Sequence, residues 1–217
     1  MKLLKQAVVV GSFIAALSPL TCLADLNTLF SGSLTGSGGG IDAMDAWNSS
    51  ATVITWTVEQ ASVSTWKYHY EFTVPTDSKK LSHIIFEVSD SFTSSDYSYS
   101  GAFTDAVDSY GAGGSNPGIP DTFYGLKFDI VESSAYTWVV EFESTRAPIW
   151  GDFYAKDGKD GGDEVYAYNT GFTAPDTDTQ LNHIAVPDTV SYVPLPGAVL
   201  LGMLGLGAAG LRLRRTA

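Results

Sequence analysis

The feature that most constrains this chain is a period of two. Ile54, Trp56 and Val58 alternate with Thr55 and Thr57, and Tyr68, Tyr70, Phe72 and Val74 alternate with His69, Glu71 and Thr73. Ile84, Phe86 and Val88 alternate with Ile85 and Glu87, and Leu126, Phe128 and Ile130 with Lys127 and Asp129. Tyr136, Trp138, Val140 and Phe142 alternate with Thr137, Val139, Glu141 and Glu143. Successive side chains of a strand point to opposite faces, so each run makes one apolar face and one mostly polar face. The stretches between the runs, "PTDSKK" (Pro75–Lys80), "GAGGSNPGIPD" (Gly111–Asp121) and "KDGKDGGDE" (Lys156–Glu164), are made of turn residues. No segment of the middle sustains a 3.6-residue period over three turns. The pattern predicts an all-β fold, an antiparallel β-sandwich of jelly-roll-like form with one face of each sheet in the core.

At 217 residues the chain has room for one domain of ordinary size. The β-sandwich domain is expected over 51–185. It is preceded by 25–50, a leader or first edge that is Gly/Ser-rich at its centre ("SGSLTGSGGG", Ser31–Gly40).

Charge is distributed unevenly. Every acid lies between Asp25 and Asp188, whereas Lys2, Lys5, Arg212, Arg214 and Arg215 sit at the two ends. The stretch Asp25–Tyr192 carries seven basic residues against all 24 acids, a formal charge of −17. Such a surface repels phosphate backbones, which argues against nucleic acid as a partner.

The first 24 residues read as a signal peptide. Lys2 and Lys5 form a basic start, Ala7–Leu17 is apolar but for Ser12, and Cys22-Leu23-Ala24 offers a cleavage site between Ala24 and Asp25. Cys22 is the one cysteine, and Pro19-Leu20-Thr21 before it fits a lipobox poorly. Cleavage after Ala24 would leave a mature chain without thiols or disulfides, stabilised by its core alone.

The middle holds scattered chemistry. His69, His83 and His183 form no metal-binding pair, and His69 and His83 fall on polar strand faces, so surface positions are expected. No G-x-S-x-G nucleophile elbow is present. Glu141 and Glu143 share one strand face about 7 Å apart, which is the type of pair a glycosidase would use and also the pattern of a solvated face. Asp157, Asp160, Asp163 and Glu164 lie among glycines in an oxygen-rich segment that could suit calcium, although the spacing is not that of an EF-hand. Trp150 and Tyr154 flank Gly151 and Asp152 in an irregular stretch and are candidates for sugar stacking.

The end of the chain is a separate module. Residues 186–196 read as a linker carrying Val193-Pro194-Leu195-Pro196, 197–213 as a transmembrane helix and 214–217 as a basic cytoplasmic tail. Gly197–Leu211 is 15 residues without a charge, five of them Gly. As a helix that run spans about 22 Å against a hydrocarbon core of roughly 30 Å, so Leu195 and Leu213 and snorkelling arginines are needed to cross. The arginines would stay inside.

Val-Pro-Leu-Pro, then an apolar Gly/Leu run, then Arg212-Leu213-Arg214-Arg215, resembles the C-terminal signal of PEP-CTERM sorting-signal proteins. The usual Pro-Glu-Pro is here a Val-Pro-Leu-Pro variant with Leu195 in the Glu place. "APIWGDFYAKDG" (Ala147–Gly158), "YNTGF" (Tyr168–Phe172) and "VPDT" (Val186–Thr189) also look like segments of such proteins. The resemblance implies an exosortase-type enzyme as partner and transient anchoring in the inner membrane. It further implies a final place at the cell surface or in the extracellular polysaccharide of a Gram-negative bacterium. The expectation is an exported, non-enzymatic surface or matrix protein with no cofactor. A carbohydrate- or calcium-binding module is the alternative, and a secreted hydrolase a more distant one.

Overall fold

The computed structural model describes residues 29–131, 135–174 and 180–191. The signal peptide with its Ala24/Asp25 cleavage site, the sorting motif Val193–Pro196, the expected membrane helix and Arg212, Arg214 and Arg215 lie outside the described residues. Among the described residues no helix is long and apolar enough to cross a membrane.

The chain is all-β. Its strands are β1 (Leu29–Thr35), β2 (Ile41–Ala43), β3 (Val53–Ser62), β4 (Thr65–Thr73), β5 (His83–Glu87), β6 (Tyr97–Tyr99) and β7 (Phe103–Tyr110). There follow β8 (Phe123–Ile130), β9 (Thr137–Ser144), β10 (Arg146–Gly151), β11 (Phe153–Asp160), β12 (Asp163–Asn169) and β13 (Ile184–Ser191). Among the described residues one 3-10 turn is present, over Asp45–Trp47. One sheet has the order β1-β3-β4-β9-β6, the second β2-β12-β11-β5-β8-β7, and β10 and β13 form a separate ribbon. Every pairing between these strands is antiparallel.

The period-two runs explain the two sheets. In β9 the exposed residues Thr137, Val139, Glu141 and Glu143 alternate with buried Trp138, Val140, Phe142 and Ser144. The apolar rows of the sheets meet face to face. The ring of Tyr70 on β4 stacks on Phe86 of β5 with centroids 4.1 Å apart, and Phe72 meets Phe153 of β11 edge-on at 6.1 Å. Phe142 joins Tyr68, Phe128 and Tyr97 at the centre of this core. Two tyrosines also fasten the ribbon. Tyr68 donates to the Arg146 carbonyl at 2.8 Å and Tyr70 to the Ala185 carbonyl at 2.6 Å. Burial pushes the Tyr70 phenol well above its ordinary pKa, which keeps it a donor.

Three segments differ from the sequence reading, while the Gly/Ser-rich one supplies the edge strand β1 as far as Thr35: Gly32 pairs with Trp56, and a Cβ there would stand 2.4 Å from the indole. The glycine serves close packing rather than flexibility. "KDGKDGGDE" is mostly the β11–β12 hairpin, turning at Gly161 and Gly162 with φ of +56° and +113°. β13 runs to Ser191, so the front of the expected linker is paired backbone. β5 is buried on both faces, because a second small cluster of Ile85, Ile119, Phe123, Tyr154 and Phe172 covers the outside of its sheet.

Candidate functional site: the open face of the five-stranded sheet

The polar rows of β3, β4 and β9 form one continuous outer face. Backbone pairing sets Glu59, Lys67, Glu143 and Ser98 side by side in one row across four strands, and Thr57, His69 and Glu141 in the next. Lys67 Nζ reaches Glu141 Oε1 at 3.1 Å, and His69 Nδ1 lies 3.2 Å from Glu141 Oε2. The hydrogen bond from Lys67, then that from His69, holds the Glu141 carboxyl below the usual carboxylate range.

Three shallow depressions share these walls. One of about 260 Å³ lies between Thr57, Glu59, His69 and Glu141. A second of about 280 Å³ lies between Lys67, Ser98, Ser100 and Glu143. A third, of about 250 Å³, continues past Ser95 and Thr145. Together they make a groove running across the strands, lined by carboxylates, hydroxyls, one ammonium and one imidazole. Paired-carboxylate hydrolysis needs one carboxyl with a raised pKa to act as acid. Glu141 is shifted the other way, which suits it to accept hydrogen bonds rather than deliver protons.

His83, expected at the surface, is buried, and so is His183. His83, at the start of β5, is 5% exposed and its Nε2 meets Asn116 Oδ1 at 2.9 Å. Desolvation, reinforced by Lys127, lowers its pKa to about 4. His183 is 2% exposed, with Nδ1 against the Leu181 carbonyl at 2.9 Å and Nε2 3.8 Å from Asp152 Oδ1. Asn169 donates to the same Asp152 oxygen at 2.5 Å and to the Asn182 carbonyl at 2.8 Å, and the Asp152 N–H donates to Glu87. This buried network pins the β10–β11 corner to β12 and β13. His83 lies at an alternating polar position and His183 immediately before β13, and neither place carries a local sequence signal of burial.

The four acids proposed for calcium are spread along the hairpin. Lys159 and Lys156 reach Glu164 at 3.2 and 3.9 Å, and Lys79 reaches Asp160 at 3.7 Å. Asp157 is on β11 and Asp163 opens β12. Among the described residues no group of three or more His, Cys, Asp or Glu side chains is assembled to hold a metal ion.

The sugar-stacking pair is also placed differently from expectation. Tyr154 is fully buried and its hydroxyl donates to the Pro117 carbonyl at 2.7 Å, so no ring face is left for a ligand. Trp150 is half-buried, edge-on to Phe30 and Trp56 at 6.0 and 6.4 Å beneath the ribbon. The half-exposed rings of this region are Tyr166 and Tyr168 on β12, announced only by the short alternation "DEVYAYN".

Compared with protein-family models, with characterised proteins and with solved structures, the chain matches none.

Proposed function

We propose that this chain is an exported, non-enzymatic surface or matrix protein, handled through its C-terminal tail by an exosortase-type sorting enzyme. The observation that carries this reading is the order of the last 25 residues: Val193-Pro194-Leu195-Pro196, an uncharged apolar run, then Arg212, Arg214 and Arg215. The basic start and the basic end frame one acidic domain, and both predict the same orientation, domain outside and arginines inside. The chain would rest transiently in the inner membrane and finish at the cell surface or in the polysaccharide of a Gram-negative bacterium. The polar groove on the open sheet face, with Glu141 held by Lys67 and within hydrogen-bond distance of His69, supports a binding role. The fold's connections pass between the two sheets after β1, β2, β4, β5, β6 and β8, which favours the jelly-roll-like form.

Deleting Val193–Ala217 should move the domain from the membrane fraction to the soluble exported fraction. If the truncated protein still sediments with membranes, the anchor reading fails. The mass of the mature protein from cells would report cleavage after Ala24 and any cut near Val193. For the alternative, a carbohydrate- or calcium-binding module, the groove favours the sugar half. A melting temperature unmoved by millimolar calcium would remove the ion half.

A further inference from the structure

A fourth depression, of about 430 Å³, opens on the other sheet, between the 3-10 turn, the loop after β7 and the β11–β12 hairpin. That volume lies at the low end of small-ligand pockets, roughly 300–1,000 Å³. One wall is the half-exposed ring of Tyr166. The ring is held in a near-parallel array, 6.1 Å from Tyr154 and 6.2 Å from Tyr168 with interplanar angles of 23° and 13°. Both neighbours are anchored through their hydroxyls, Tyr154 to the Pro117 carbonyl and Tyr168 to Asp42 at 2.8 Å. Gly118 completes the seat. Its φ is +73°, and a Cβ there would stand 2.1 Å from the Tyr166 ring, so the loop backbone passes directly against it. Around the rim stand the exposed carboxylates of Asp45 and Asp163, neither in an ion pair among the described residues.

The geometry points to a subsite for one pyranose ring of a neutral glycan: its C–H face rests on Tyr166 and its hydroxyls donate to Asp45 and Asp163. A bare cation has no use for a held aromatic face, and an aliphatic ligand has none for two free carboxylates. A ring with an apolar face and a hydroxyl rim uses both. The chain's formal charge of −12 disfavours acidic sugars. The subsite deepens the matrix reading above but is independent of how the tail is sorted.

The test is saturation-transfer NMR on the full chain in a zwitterionic detergent, with methyl β-D-glucopyranoside, methyl β-D-galactopyranoside and N-acetylglucosamine as probes. At least one should bind in the millimolar range with transfer to its ring C–H protons. Tyr166→Ala and Asp163→Asn should each weaken it about tenfold, while Tyr166→Phe keeps most of it. Asp163 is exposed at a hairpin end, so its variant reads the site even if Tyr166→Ala fails to fold. Absence of binding by all three sugars, or binding unchanged in Asp163→Asn, overturns the subsite. So does a melting shift with calcium but with no sugar. None of these results touches the deletion experiment on the tail, so the two readings fail separately.

Discussion

Trp47 and Trp56 are both buried against aromatic neighbours, but they differ in one bond. The Trp47 indole donates to the Lys79 carbonyl at 2.8 Å, while the indole N–H groups of Trp56, Trp66 and Trp138 have no acceptor among the described residues. Replacement by Phe removes similar bulk at each site, so the difference isolates the bond. Trp47→Phe should cost about 1 kcal/mol more stability than Trp56→Phe in urea unfolding. Equal costs would mean that the Trp47 bond contributes nothing net.

His83 makes the second prediction at this scale. Its pKa falls from 6.5 in the unfolded chain to about 4 when folded, by burial first and by Lys127 second, with Asn116 and Asp129 opposing and Lys156 adding to the lowering. Between these values the unfolded chain takes up a proton that the folded chain refuses. Stability is therefore intact above pH 6.5 and is lost as pH falls towards 4, on the order of 3 kcal/mol in full. Glu141 acts lower: held ionised, its contribution is present above the ordinary carboxylate range and fades as pH drops below it. In His83→Gln the loss between pH 6.5 and 4.5 should largely vanish from denaturation midpoints. A slope equal to wild type would assign the acid sensitivity elsewhere.

The elements that sequence pattern located are those with one wet and one dry face. β4 and β9 alternate cleanly because one side of their sheet is solvated. β7 and β10 escaped because neither presents that contrast. β7 is an edge strand whose two aspartates fall on opposite faces, Asp105 accepting from Tyr97 and Tyr99 and Asp108 exposed, and β10 carries Pro148 paired opposite Pro187 in a two-stranded ribbon. Their pairing is set by distant partners. The same alternation separates severe from mild substitutions along β9. Phe142→Ala, in the centre of the aromatic core, should cost about 3–5 kcal/mol. Val139→Lys, three residues before it on the open face, should stay within about 0.5 kcal/mol. Chemical denaturation of the two variants would check this, and comparable losses would contradict the assigned faces. The candidate groove was partly foreseeable: Glu141 and Glu143 were visible as same-face neighbours, but the row joining them to Lys67, His69 and Ser98 exists only after strand pairing. The Tyr166 seat was not foreseeable, since it needs the loop at Gly118 to fold back onto β12.

For the molecule as a whole, stability rests on the two-sheet core. Cys22 is the one cysteine in the chain, and removal of the signal would discard it. The processed protein should therefore melt at the same temperature with and without reductant. A downward shift would reveal retention of Cys22 in an intermolecular disulfide.

The geometry at Ser191 has a mechanical consequence. There the final strand pairs with Arg146, whose guanidinium grips the Asp96 carboxylate at 3.0 and 3.2 Å and the Ser91 carbonyl at 2.9 Å. Tension transmitted by any segment beyond Ser191 enters the domain at this end of the β10–β13 ribbon. The Arg146–Ser191 pair is the rung of the ribbon that such a load meets first. The first rung is braced by the Arg146–Asp96 clamp, with both side chains mostly sheltered from water. A grip of that kind is only weakly screened by salt, so a tether beyond Ser191 would hold about as well at high as at low ionic strength.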